Sequence, residues 1–346
     1  MKNTISKKIC YGLLKYSSVN IGDEIQCLAA LRFLPQVDYY IRRERISKFQ
    51  TDCDNKIKLI TNAWWMWSPQ YFPPSPHIDP LLISMYLAVS IRKKFLTSKV
   101  KKYLIQHGPV GCRDYSTVEF LNKNKIPAYF SGCLTLTLEK NPAITRKDFI
   151  LTVDVPADIV CAIKQRTKRP VFNISRLLLP NKLEERMNIA KAMLYLYNSA
   201  HCVVSSRLHV AMPCLALETP ILLIDSNDDL LSKDGRYEGL KDLCYMAKED
   251  AFLTDNTYDF ECPPPNKKDY LKIRNDLIKR CQEFTGHNSN ISAIPNDADD
   301  VIFKLIQALE FNKSYKEYIK WWIPIISMVK NIAQRILLRK NRFDLE

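Results

Sequence analysis

Arg207 and His209 flank Leu208 in the run Cys202-Val-Val-Ser-Ser-Arg-Leu-His-Val-Ala-Met-Pro213, where an apolar strand pattern passes at once into a helical one. With Ser206 as N-cap, Arg207, Leu208 and His209 fall in the first helical turn. The backbone N–H groups of such a turn have no intrahelical acceptor, and the helix dipole is positive at that end, so the turn attracts anions. Arg207 adds a planar, permanently charged fork suited to a carboxylate or phosphate, and His209 adds a group that gives or takes a proton near neutral pH. Pro213 falls inside the expected helix and removes one of its hydrogen bonds. A satisfied structural histidine beside a surface arginine is the competing account. Convergence of serine, arginine and histidine on one helix start favours a ligand site.

Three further segments carry side chains of the right kind. In His107-Gly-Pro-Val-Gly-Cys-Arg-Asp114, glycines let the backbone approach a ligand, and Arg113 precedes a helix that Asp114 or Ser116 caps; an Arg113–Asp114 surface pair is the alternative. In Asn20-Ile-Gly-Asp23, Gly22 permits a left-handed or closely approached backbone facing a ligand, while Asp23 caps the next helix. Trp64 and Trp65, just past an apolar strand, suit stacking on a sugar face, although aromatic clusters serve the core more often.

The elements that hold these segments alternate. Strand patterns at 9–14, 37–41, 58–61 and 128–130 are interleaved with helical ones beginning Glu24-Ile-Gln-Cys and covering 81–94 and 114–124. After a polar stretch containing Asn141-Pro142 the pattern restarts, with strands at 149–154, 171–174, 201–205 and 221–225 and helices at 183–200 and 207–217. Such alternation implies an α/β chain with parallel sheets: two Rossmann-like domains over residues 1–143 and 144–300, with the ligand cleft between them at the strand C-termini, and a helical tail over 301–346. Residues 254–268 and 284–300 read as loops.

Composition narrows the function classes. The chain has 346 residues, 47% of them hydrophobic and 25% charged, as globular proteins do, and no apolar run is long enough for a spanning helix. Its eleven cysteines show no C-x-x-C spacing. Cys27, Cys112, Cys133, Cys202 and Cys214 sit on apolar stretches, which reads as reduced core thiols in a cytoplasmic protein, with no metal site. Only eight glycines occur, and both the G-x-G-x-x-G and G-x-x-x-x-G-K-[ST] fingerprints are missing, which disfavours NAD enzymes and P-loop ATPases. The net charge of +14 is spread along the chain and is not interleaved with aromatics, so it reads as a lysine-rich surface and not as a nucleic-acid groove.

Taken together, NIGDEIQCLAALRFLP, GPVGCRDYSTVEFL, IPAYFSGCLTLTL and VVSSRLHVAMPCLALETPILLI, in this order, resemble the polysaccharide pyruvyltransferase family. The resemblance implies a GT-B-like arrangement of the two domains. It implies transfer of the enolpyruvyl unit of phosphoenolpyruvate to a sugar of a polysaccharide or its lipid-linked precursor, forming a ketal and releasing phosphate, with no cofactor. Arg207, Leu208, Ser206 and Arg113 then bind phosphoenolpyruvate, His209 is the general acid, and Gly22 and Asp23 form the family's turn. Two other accounts compete: a GT-B glycosyltransferase using a nucleotide sugar, and a non-catalytic basic module that binds membrane or nucleic acid.

The tail offers one more expectation. Trp322, Ile326, Val329, Ala333 and Ile336 recur at helical spacing among Lys316, Lys320, Lys330, Arg335, Arg339 and Lys340. Such a helix either lies at the inner face of the membrane or packs back on the first domain.

Overall fold

The computed structural model describes residues 9–18, 20–65, 68–176, 182–225 and 235–296; the tail expected to meet a membrane or dock lies outside them. The chain is α/β, and its sheets are parallel. The first half opens with β1 (Cys10–Lys15), α1 (Gly22–Leu31), β2 (Tyr39–Arg42) and β3 (Ile57–Ile60). It continues through β4 (Trp64–Trp65), β5 (Ile78–Leu81), β6 (Tyr86–Leu87), α2 (Arg92–Phe95), α3 (Ser98–His107), β7 (Val110–Cys112), α4 (Tyr115–Lys123) and β8 (Ala128–Phe130). Strands β2-β1-β3-β5 form one sheet in that order, and β4-β6 and β7-β8 form parallel pairs.

The second half contains β9 (Ile150–Val153), α5 (Ala157–Gln165), β10 (Val171–Ile174), α6 (Leu183–Ser199), β11 (Cys202–Ser205), α7 (Leu208–Ala216), β12 (Ile221–Asp225), β13 (Tyr245–Lys248), α8 (Glu249–Thr254) and α9 (Tyr270–Thr285). Its sheet runs β10-β9-β11-β12-β13. In both sheets the chain leaves a central strand to one side and then returns to the other. The reversal lies between β1 and β3 in the first and between β9 and β11 in the second. Crossover loops diverge at such a point and leave a crevice at the strand C-termini.

Strand composition follows from two-sided burial. In the second sheet Leu151, Val153, Val203 and Leu223 face one core, while Ile150, Cys202, Val204, Leu222 and Ile224 face another beneath α5 and α8. Strands covered on both faces are apolar throughout, which is why they stand out in the sequence. Cys27, Cys112, Cys133, Cys202 and Cys214 are all buried free thiols, as their apolar settings suggest.

α1 packs against β1 on one side and against α6 and α7 on the other, so it joins the halves. All but one of its residues are buried, including Asp23, Glu24 and Gln26. Burial of these polar groups needs partners, and Glu24 finds Arg186 of α6, whose Nε donates to Oε1 at 2.7 Å. Both side chains are buried, with 0% exposure for Glu24 and 7% for Arg186. Removing Arg186 strands a carboxylate between two elements. Arg186→Ala is therefore expected to lower unfolding stability by about 3–5 kcal/mol in urea titration, with Glu24→Leu/Arg186→Leu recovering most of it. α9 returns to the first half, where Arg274 donates to the carbonyls of Leu136 and Leu138 at 2.6 and 2.7 Å and Tyr11 donates to the Thr285 carbonyl at 3.0 Å.

Residues 81–94, expected as a helix, are not one. They contain the end of β5, the strand β6, a single 3-10 turn and the short α2. Ser84 takes a left-handed conformation, with φ 53°. Met85 and Tyr86 then bond by their N–H groups to the carbonyls of Gly111 and Ala63, so the backbone is committed to strands. Among the described residues no helix is long and apolar enough to cross a membrane.

Candidate active site

The two reversal points face one another across a cavity of ≈ 390 Å³. Its first-half wall carries Ser17, Ser18, Asn20, Asp23, Glu44 and Trp64, and Arg113 also comes from this half. The second half contributes Arg176, Arg207, Leu208, His209, Arg236 and Tyr237. The second half therefore brings three guanidinium groups, and the first brings the fourth, Arg113, together with hydroxyls, an amide, carboxylates and one indole.

Each cationic residue follows directly from a local feature. Arg207 is the extended residue at the start of α7, and Leu208 and His209 are the first helical residues, so the N-terminus of this helix opens into the cavity. The Ser205 hydroxyl accepts from the Arg207 N–H at 3.1 Å and donates to the Val153 carbonyl at 2.8 Å, tying the helix start to the end of β9. Arg176 comes just after β10, where its Nε meets Asp154 Oδ2 at 3.0 Å. Asp154 is held at φ 51°, a left-handed conformation costly for a non-glycine residue and typical of functional sites. Its carboxylate also accepts from Ser175 Oγ at 2.8 Å and from the Arg176 N–H at 3.3 Å. Arg236 lies over the ring of Tyr237, and the Tyr237 hydroxyl donates to the Ser206 carbonyl at 2.9 Å.

Arg113 follows β7 and is 4% exposed. The expected alternative, an Arg113–Asp114 surface pair, does not form: both residues are buried and turn apart. Asp114 caps α4, accepting from the Thr117 N–H at 2.7 Å, and burial pushes its carboxyl up to about 6. Arg113 crosses the cavity floor to His209, with Nη1 2.9 Å from Nε2. A guanidinium only donates, so Nε2 accepts, and the neutral ring carries its proton on Nδ1. Burial, with Arg113, Arg176 and Arg236 nearby, pushes His209 well below its ordinary value of 6.5. The imidazole in this arrangement is neutral at neutral pH.

Four further expected residues are held by specific contacts. Ser206 does not cap α7 and does not line the cavity; the helix starts later, at Leu208, and the Ser206 hydroxyl donates to the Asp154 carbonyl at 2.7 Å. Asp23 is not a cap either. α1 begins at Gly22, and Asp23 lies inside its first turn, accepting from Ser18 Oγ at 2.5 Å and from Gln26 Nε2 at 3.2 Å, with Arg43 at 3.7 Å. Gly22 is helical and approaches His209 closely: a Cβ there would come within 2.8 Å of Nδ1 and 2.9 Å of Cβ of that ring. Trp65 is 5% exposed and packs edge-on against Phe72 in the core, leaving Trp64 alone at the cavity.

Sequence reasoning missed Glu44, Asp154, Arg176, Arg236 and Tyr237. For Asp154 and Arg176 a usable signal exists, since Asp154 directly follows β9 and Arg176 lies two residues past β10, each at a strand C-terminus. Arg236 and Glu44 carry no such mark in a chain with 51 lysines and arginines.

Residues 20–228 match the family model for polysaccharide pyruvyl transferase. The matched span holds the turn before α1, Glu44, Trp64, Arg113, Arg176, Arg207 and His209, and it stops short of Arg236. No curated protein matches the chain. The chain belongs to the polysaccharide pyruvyl transferase family.

Proposed function

We propose that this member of the polysaccharide pyruvyl transferase family takes the pyruvyl group from phosphoenolpyruvate and sets it as a ketal on a sugar of a polysaccharide or of its lipid-linked precursor, releasing phosphate. The observation that carries this reading is the Arg113–His209 contact at 2.9 Å in a cavity lined by four arginines. In this reading the two parallel sheets are two Rossmann-like domains in a GT-B-like arrangement, with the reaction between them.

The donor brings a carboxylate and a phosphate. Planar guanidinium forks and the N-terminus of α7 match both groups. The donor's negative charge changes the histidine. Before binding, burial and then the arginines keep His209 neutral, and Arg113 occupies Nε2. A bound anion draws Arg113 to itself and offsets the cationic field, so Nε2 gains a proton. The imidazolium then protonates the donor's methylene carbon, leaving an oxocarbenium-like centre at the adjoining carbon. A sugar hydroxyl attacks that centre, and a second hydroxyl closes the ketal as phosphate departs. Trp64, across the cavity from the three second-half arginines, supplies a flat apolar face for the sugar ring.

Gly22 sets the position of the imidazole. A Cβ at this buried position meets His209 inside 3.0 Å, so Gly22→Ala is expected to cost about 1–3 kcal/mol of stability while the chain still folds. Its methyl group displaces the His209 ring, and phosphate release should fall by about 10- to 100-fold, because small misplacements of reacting groups are costly.

The direct test is phosphate release from phosphoenolpyruvate with galactose-, glucose- and N-acetylmannosamine-containing acceptors, alongside thermal stabilisation by phosphoenolpyruvate alone. Stabilisation with acceptor-dependent release supports the reading. Stabilisation by a nucleotide sugar, with none by phosphoenolpyruvate, replaces it with glycosyl transfer.

A further inference from the structure

We propose that Glu44 is the base that receives the acceptor's hydroxyl proton, an inference that rests on the pyruvyl-transfer reading. Attack by a sugar hydroxyl requires somewhere for its proton to go. Among the described residues two carboxylates line the cavity, Asp23 and Glu44, and both come from the half that carries Trp64. Their hydrogen bonds separate them. Asp23 has both oxygens engaged, Oδ2 with Ser18 and Oδ1 with Gln26. Glu44 is held differently: Arg43 donates from both Nε and Nη2, at 3.0 and 2.6 Å, to the same oxygen, Oε1. A fork-to-fork pair would occupy both carboxylate oxygens. This one leaves Oε2 with no hydrogen-bond partner among the described residues.

The anchor is rigid. Arg43 is 3% exposed and stacks on the Tyr16 ring, with its guanidinium carbon 4.6 Å from the centroid. Glu44 is therefore fixed through one oxygen at the wall of a cavity that also holds the indole expected to seat the sugar. A base must reach the proton it takes, and a positioned carboxylate beside a sugar-stacking ring meets that requirement.

The step balances as follows. The acceptor oxygen uses a lone pair to bond the donor's central carbon, its O–H bond breaks, and the proton passes to Glu44 Oε2. The second hydroxyl then bonds the same carbon while the carbon–oxygen bond to phosphate breaks, its electron pair leaving on phosphate. Phosphate takes the proton held by Glu44. The second hydroxyl's proton goes to His209, replacing the one given to the methylene carbon.

The test uses Glu44→Gln and Glu44→Asp in the full chain, with phosphate release and thermal stabilisation by phosphoenolpyruvate recorded for each. Glutamine keeps the shape and an acceptor for Arg43 but takes no proton. Its kcat is expected to fall by about 10²- to 10⁴-fold. Stabilisation by phosphoenolpyruvate should persist, and Glu44→Asp should recover part of the rate. Wild-type kcat in Glu44→Gln would overturn the proposal. So would joint loss of turnover and stabilisation, which would make Glu44 a support for Arg43. If the wild type itself releases no phosphate and is not stabilised by phosphoenolpyruvate, pyruvyl transfer is wrong and this role falls with it.

Discussion

His209→Gln is expected to reduce phosphate release from phosphoenolpyruvate by about 10²- to 10⁴-fold while leaving donor binding in place, because the amide oxygen can still accept from Arg113 but no proton reaches carbon. Proton accounting checks the same residue independently. The free site holds His209 neutral, since burial and the arginines push it well below 6.5. The occupied site needs it charged. Binding of phosphoenolpyruvate should therefore take up as much as one proton near neutral pH. Titration calorimetry in buffers of different ionisation enthalpy reads this directly, and His209→Gln should abolish the His209 contribution. Folding stability carries the same sign. A histidine neutral in the folded state and ordinary in the unfolded one makes the unfolded chain bind more protons below its unfolded value, about 6.5, so stability is lost as pH falls through it. The wild type should lose more melting temperature than His209→Gln between about pH 7 and about pH 5.

Arg207→Ala is the second large effect. Arg207 lines the cavity at the start of α7, and a guanidinium beside a helix N-terminus suits an anionic donor. A charge-assisted hydrogen bond contributes about 1.5–3 kcal/mol, and a forked pair more. The variant should lose about 100-fold or more in kcat/KM for the donor, with little stabilisation left on adding phosphoenolpyruvate. Because Arg207 is only half-buried, its truncation should leave the unliganded melting temperature nearly unchanged. Arg207→Lys should not restore the activity, since an ammonium offers a point charge and no fork. Retention of donor binding in Arg207→Ala would move the anion site to Arg176 and Arg236.

What the sequence disclosed follows from what each residue must satisfy. β9, β11 and β12 stood out because strands buried on both faces are apolar throughout, and the polar residues after them mark the crevice. Arg207 and His209 were legible because they interrupt an apolar strand–helix passage. The stretch 81–94 misled for a related reason: Leu82, Ile83, Met85, Tyr86 and Leu87 are all buried, so no exposed face remained to reveal the period. Capping roles also failed locally. Asp23 follows a glycine before a helical pattern, as a cap would, yet its carboxylate is claimed by Ser18, Gln26 and Arg43, the last reaching it from beyond β2. Arg236 and Glu44 owe their places to tertiary folding alone and have no local signature.

The central claim is that the chain moves a pyruvyl group onto a sugar. The most direct measurement is the mass of a defined acceptor saccharide after incubation with phosphoenolpyruvate and the enzyme, with phosphate counted in the same tube. The account predicts a gain of one pyruvate less one water for each phosphate released, and no gain with His209→Gln. Acceptors left unchanged by phosphoenolpyruvate but enlarged by one sugar from a nucleotide donor would contradict it.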